Sequence, residues 1–354
     1  MSQPTNDPVP DPGSGTRRQR VKLSDVARAA GVDLSTASRL IRNQSANYRP
    51  ETVERVNRVA KELGYRTNQQ ARALRLGRQQ AIAMLVPDLD NFGFTRVLRG
   101  AQEVCEERGF TLLISEIDPS SSNQNSRLAS LEGRVDGILV AYGSASDTGI
   151  TGGLDQLGLP TVLVQRGAPD ATASVLFDEE ANAAAMVDYL VGLGHRSVAH
   201  VSGALSTDTG IRRERGFNAA LIRHGLEIPA DWRADGAWTI DGGRAATFAI
   251  MNSASGHPTA LSVDSLVEGI GALSALRELN VAVPGEVSVI AIDEHLVAAH
   301  TSPPLTTVRL DQRALGRRAA EMLFDRLDGA AGQRVIIDSA AEIVPRESTA
   351  PPRT

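Results

Sequence analysis

Residues 21–41 read VKLSDVARAAGVDLSTASRLI. Leu23, Val26, Ala27 and Ala30 recur at the spacing that places side chains on one face of a helix. Ser24 is a candidate N-cap, and Gly31 supplies the left-handed residue on which a helix ends. After the Gly31-Val32 turn, Asp33 can cap a second helix with Ala37, Leu40 and Ile41 inside and Ser35, Ser38, Arg39 and Arg42 outside. A third helix opens near Pro50-Glu51, since proline suits a first helical position. Val53, Val56, Ala60 and Leu63 form its apolar stripe, and Gly64 ends it. Two helices joined by a short glycine-containing turn make a helix-turn-helix, whose second helix can carry short polar side chains and arginine to base edges.

The same spacing would serve a plain three-helix bundle with a solvated face, and the charge distribution separates the two readings. The net charge of −5 hides an asymmetry. Residues 1–78 hold 15 Lys+Arg against 7 Asp+Glu, and the remainder holds 22 against 35. A basic head on an acidic body predicts that only the head meets a polyanion. The segment 68–78, NQQARALRLGR, is too short and polar to be a stable helix alone. Leu74 stands among arginines with Ala71 one turn earlier, an arrangement that suits either minor-groove insertion or a plain linker with its leucine tucked inward.

These residues carry a resemblance. The run at 21–41, followed by ETVERVNRVAKELGYRTNQQARALRLGR at 51–78, is similar to the DNA-binding end of the LacI/GalR family of bacterial repressors. The resemblance extends to about Arg346. It implies that Leu34, Ser35 and Arg39 contact bases, that Ser24, Thr36, Ser38 and Asn68 hold phosphates or support base contacts, and that Leu74 is the lever of a hinge helix at a central CpG step. Asp33 stands where the family carries serine, Ala37 where it carries valine, and Arg42 reads as an insertion.

Beyond residue 80, apolar strand runs alternate with amphipathic helices: 81–86, 111–115, 137–141, 161–164, 174–177, 197–202, 259–264 and 287–293 read as strands. Such alternation predicts parallel sheets covered on both faces, here as two doubly wound α/β lobes resembling periplasmic binding proteins. Ligands of these sheets bind beyond the carboxyl ends of the strands. Asp90, Asn91, Phe94, Gln165, Arg166, Thr207, Thr209, Arg213, Trp238, Asp264 and Asp293 collect at those ends. The resemblance implies effector contacts at Phe94, Arg213, Trp238 and Asp293, with Asp90 and Asn91 nearby; with Gln165 and Asp264 these are the candidate effector contacts. A strand-end aspartate is equally an N-cap, Asp264 in particular. Gln165, Val263 and Ile292 depart from the family's aspartate, asparagine and aromatic residue, which alters the pocket's hydrogen-bonding pattern. The effector is expected to be a sugar or sugar phosphate, with a purine or nucleoside as the alternative.

The expected organisation is a disordered tail over 1–19, a helix-turn-helix domain over 20–67, a hinge over 68–78 and a core over 79–346. Within the core, lobe 1 takes about 79–177 and 309–338, and lobe 2 about 178–308 and 339–346. Residues 347–354 read as a second disordered tail. No phosphate loop, dinucleotide fingerprint, nucleophile elbow or paired-histidine zinc motif is found, so neither an enzyme nor a cofactor or metal is expected. The lone Cys105 excludes an internal disulfide framework and fits a reducing compartment. A solute-binding protein on a similar body would carry an export signal and lack the basic head. The expectation is therefore a cytoplasmic homodimer, with no membrane partner, that binds a double-stranded operator and a small-molecule effector.

Overall fold

The computed structural model describes residues 21–41, 48–65, 78–117, 128–141, 154, 157–168, 173–338 and 341–353. The chain forms two compact units, residues 1–77 and 78–354.

In the first unit, α1 (Leu23–Ala30), α2 (Leu34–Ile41) and α3 (Pro50–Glu62) surround a small core of Val26, Ala30, Leu40 and Val56. Gly31 ends α1 with φ 61°, and its left-handed backbone lets the chain turn into α2. The cap of α1 differs from the sequence expectation. Lys22 is the N-cap residue, Asp25 accepts its backbone N–H at 2.9 Å, and Ser24 lies exposed inside the first turn. On α3 the inward stripe uses Val53, Val56, Val59 and Ala60, whereas Leu63 is exposed.

The second unit contains two six-stranded sheets. The first runs β11-β5-β4-β3-β1-β2, built from β1 (Ala81–Val86), β2 (Thr111–Glu116), β3 (Gly137–Val140), β4 (Thr161–Val164), β5 (Ser174–Phe177) and β11 (Arg334–Ile337). The second runs β12-β10-β9-β8-β6-β7, from β6 (Val198–Ser202), β7 (Arg233–Asp235), β8 (Ala260–Val263), β9 (Ser288–Ile292), β10 (Thr306–Arg309) and β12 (Glu342–Val344). Every pairing is parallel except β10 with β12. β1 is buried at all six positions, as a central strand covered on both faces requires, while β2 at the edge is largely exposed.

The chain passes between the sheets after β5, after β10 and between β11 and β12. Helices α4 (Gly93–Glu107) and α9 (Gln312–Leu327) pack on each other through glycine: a Cβ at Gly100 would stand 2.1 Å from the Arg313 carbonyl, and one at Gly316 2.0 Å from that of Val97. The remaining long helices among the described residues are α5 (Glu179–Gly192), α6 (Asp208–Arg223), α7 (Ile240–Met251) and α8 (Leu266–Glu278).

The end of the chain corrects the expectation of a tail over 347–354. Ser348 is fully buried, donates to the Val289 carbonyl at 2.6 Å and accepts the Thr306 N–H at 2.7 Å. The Ala350 carbonyl lies 2.9 Å from Nε2 of the buried His195. Short polar residues that read as solvated chain are here the partners of backbone groups on β9 and β10 that would otherwise be buried without them.

Candidate functional site

On the first unit, the carboxylate of Asp33 organises the start of α2. It accepts the Thr36 N–H at 2.8 Å, the Ser35 hydroxyl at 2.6 Å and the Thr36 hydroxyl at 2.7 Å. These bonds hold its carboxyl well below the usual carboxylate range, the Ser35 hydroxyl contributing most. Leu34 (53 % exposed), Ser35 and Arg39 lie on the open face of α2, with Thr36 and Ser38 half-buried beside them. Arg39 lies 3.4 Å from the Tyr48 hydroxyl. Ala37 and Leu40 are buried beneath this face, so packing fixes which α2 side chains point outward. Asn68, Ala71 and Leu74 lie outside the described residues.

On the second unit, a cavity of about 380 Å³ opens between the two sheets. Residues of the first sheet's connections, Pro87, Asp88, Asn91, Gly93, Phe94, Gln165 and Arg166, form one side. Those of the second, Ala204, Ser206, Thr207, Thr209, Arg213, Ala237, Trp238, Thr239, Ser265 and Asp293, form the other. Apart from Arg213, in the second turn of α6 (Asp208–Arg223), they follow the carboxyl ends of strands or open the next helix, where a doubly wound sheet exposes backbone donors. Six non-glycine residues have positive φ among the described residues, and four of them line this cavity: Gln165, Ala237, Trp238 and Asp293. Such backbone conformations carry a cost and concentrate at functional sites.

An ion network supports the cavity floor. Arg213, 1 % exposed on α6, donates to Glu179 at 2.7 Å and to the Asp264 carbonyl, and its guanidinium carbon lies 5.5 Å from the Trp238 ring centre. Burial opposes the charge on Arg213, but Glu179, Asp293 and Asp264 outweigh it and raise its pKa. Asp264 is fully buried and does not line the cavity; it accepts the Gly203 N–H at 2.9 Å and meets Nε2 of His200 at 2.9 Å. His200 meets Glu214 at 2.8 Å through Nδ1 and stacks on Phe217. Burial disfavours its charged form, yet Asp264 and Glu214 prevail and push its pKa up to about 9, so it is an imidazolium at neutral pH. Asp293 accepts Gln312 Nε2 at 2.6 Å, and burial raises its carboxyl to about 6 against the pull of Arg213. Gly93 lies against the other oxygen of this carboxylate: a Cβ there would stand 3.1 Å from both Asp293 Oδ2 and Asn91 Oδ1.

Three cavity residues hold buried donors with no hydrogen-bond acceptor: Arg166 at Nε and Nη1, Arg213 at Nη2 and Trp238 at Nε1. Buried donors of this kind are uncommon and are satisfied when a ligand supplies acceptors.

The structure therefore gathers Asn91, Phe94, Gln165, Arg213, Trp238 and Asp293 around one cavity. Asp90 is exposed and lies outside it. Asp264 acts beneath the cavity rather than in it, and it is not a helix cap either, since Ser265 caps α8. Ser265 lines the cavity and gave no signal in the sequence beyond its place after a strand. Arg166 was visible at the end of its strand, but its burial without an acceptor follows only from the packing.

No helix among the described residues is long and apolar enough to cross a membrane. Residues 22–68 match the model for bacterial regulatory proteins of the lacI family, and residues 187–349 the model for a periplasmic binding protein-like domain. Over 331 residues the chain is 30% identical to the HTH-type transcriptional repressor PurR of Serratia proteamaculans, covering 93% of this chain and 96% of the relative. A LacI family transcriptional regulator from Mycobacterium smegmatis superposes with a TM-score of 0.73 at 32% identity, over 77% of this chain and all of that one. The CelR–cellobiose complex gives a TM-score of 0.71 at 30% identity, over 93% of this chain and all of the other. The chain belongs to the lacI family of bacterial regulatory proteins, as a DNA-binding transcriptional repressor and not an enzyme.

Proposed function

We propose that this repressor binds an inverted-repeat operator as a cytoplasmic homodimer, and that a small polar effector in the interlobe cavity sets its affinity. The observation that carries the effector half is the set of unsatisfied donors on Arg166, Arg213 and Trp238, all buried at one cavity lined from both lobes. Leu34, Ser35 and Arg39 are the base readers, with Ser24, Thr36, Ser38 and Asn68 on phosphates. Leu74, with Ala71 one turn before it, inserts in the minor groove at the operator centre. A recognition helix as short as α2 gains useful affinity only when a two-fold dimer presents a pair of them. Closure of the lobes on the effector changes the spacing of the two hinges, and DNA and effector alter each other's affinity by the same factor.

A sugar or sugar phosphate suits the cavity: Trp238 and Phe94 offer apolar faces, while Asn91, Gln165, Asp293 and Arg213 offer directional polar groups. The similarity to the CelR–cellobiose complex supports this reading. A purine or nucleoside is the second reading. The paired aromatic faces and the carboxamides of Asn91 and Gln165 suit a planar base, and the similarity to PurR repressors points the same way.

Selection and sequencing of a randomised duplex library on the full-length protein at physiological salt tests the DNA half. Recovery of an inverted repeat with a CpG centre is expected; half-sites with no symmetry would overturn the dimer. The recovered duplex then reports on effectors, and a compound that binds the cavity yet leaves DNA affinity unchanged at saturation is not the effector.

A further inference from the structure

Arg166 follows Gln165 at the end of β4 and is 9 % exposed. Its Nε and Nη1 are buried with no hydrogen-bond acceptor, and its guanidinium carbon lies 5.6 Å from the Trp238 ring centre. The neighbouring carboxylates bond other arginines, although Glu179 Oε1 makes no hydrogen bond. Asp208 accepts Arg212 Nε at 2.9 Å and the Gly167 N–H at 2.9 Å. Glu179 accepts Arg213 Nε at 2.7 Å. Arg166 and Arg213 line the cavity with Arg212 behind them, and Arg166 is the one of the three that hydrogen-bonds to neither of these carboxylates. Burial and the like charge of Arg213 push its pKa down to about 10 against the pull of Glu179 and Asp208, which still leaves it a cation at neutral pH.

A buried cation with no carboxylate directly bonded to it is costly, and a fold that needed only bulk at this position would be served by an apolar side chain. The cavity it lines also receives the N-terminus of α6, a 16-residue helix capped by Thr207, whose dipole adds to the positive potential there. A ligand made only of hydroxyls could accept hydrogen bonds from Arg166 but would not supply the charge-assisted bond that Arg212 and Arg213 each make to a carboxylate. We infer that the effector of this cavity carries an anionic group, phosphate or carboxylate, and that Arg166 receives it. This rests on the effector reading above and narrows the chemical class within it.

The test uses the full-length protein and the variant Arg166→Met at pH 7.5. In the ligand-free state, removal of the unpaired charge is expected to raise the Tm, by about 2 °C for a domain of this size. A fall of that size would mean that Arg166 is held for the fold, and would overturn the inference. Inorganic phosphate and acetate are then titrated against chloride at constant ionic strength, with Tm and tryptophan emission as readouts. Wild type should respond to one of the two anions and Arg166→Met should not. A response to phosphate alone assigns a phosphorylated effector, and a response to acetate alone a carboxylate. No response in wild type, or an equal one in the variant, overturns the inference. The duplex selection reports on the regulator independently, so a recovered operator beside an absent anion response sinks the anion assignment and leaves the repressor reading standing.

Discussion

The six-membered ring of Trp238 lies against Gly203 so closely that a Cβ at Gly203 would stand 2.1 Å from the ring. Trp238 itself is held with φ 62°, and its backbone N–H donates to Glu268 at 2.9 Å. The indole has therefore been seated by two constraints: a glycine under the ring and a buried carboxylate behind its backbone. Replacing Gly203 by alanine forces the ring out. The expected result is a loss of about 1–3 kcal/mol in urea unfolding and a shifted Trp238 emission. Comparison with Trp238→Phe removes the contribution of Trp232. Unchanged emission with unchanged stability would show that the ring is not seated by this contact.

The buried pair of His200 with Asp264 and Glu214 makes stability depend on pH. The folded pKa of about 9 lies above the ordinary value of 6.5, so the folded state holds a proton that the unfolded state releases. The contribution is fully present below about pH 6.5 and is lost as pH rises through about 9. Denaturant midpoints of the isolated residues 78–354 should fall across that window, and His200→Gln should remove the slope while lowering stability overall. A slope that survives in the variant would assign the effect to another group.

Cys105 is fully buried, and burial pushes its thiol up to about 11, with Glu106 adding to the effect. A thiol-specific disulfide reagent at pH 8 should find no reactive group in the native protein and one in denaturant. Fast labelling without denaturant would contradict the packing of α4.

Asp33 places a full negative charge at the N-terminus of the proposed recognition helix and ties up the Ser35 and Thr36 hydroxyls. Asp33→Ser keeps an oxygen acceptor for the helix cap and removes the charge that faces phosphates. Binding to any duplex should tighten about fivefold at low salt, with the gain shrinking as salt screens it. A gain confined to one sequence would instead make Asp33 a base reader.

Local pattern determined much of this molecule. The spacing of Val26, Ala30, Leu40 and Val56, with Gly31 between the first two helices, specified the head, because a helix must bury one face and a left-handed turn needs glycine. The apolar strand runs gave most of the strands of the core to within a residue or two, since strands buried on both faces have no polar alternation to misread. The short strands β7, β10, β11 and β12 were not read from the sequence. Their pairing partners lie far away in the chain: Arg309 opposite Glu342, and Ile337 opposite Phe177.

The site divided in the same way. Residue type and position after a strand, together with the family resemblance, singled out Asn91, Phe94, Gln165, Arg213, Trp238 and Asp293, which line one cavity. They could not distinguish Asp293, which faces the cavity, from Asp264, which is buried under it against His200 and Gly203. Nor could they show that the polar residues after Arg346 close the second lobe. What the sequence settles is periodicity, capping and charge, which act over one or two turns of chain. Which aspartate faces the cavity, which arginine bonds a carboxylate and which serine bonds a buried backbone group depend on groups far apart in the chain meeting in a low-dielectric interior, and only the tertiary structure decides that.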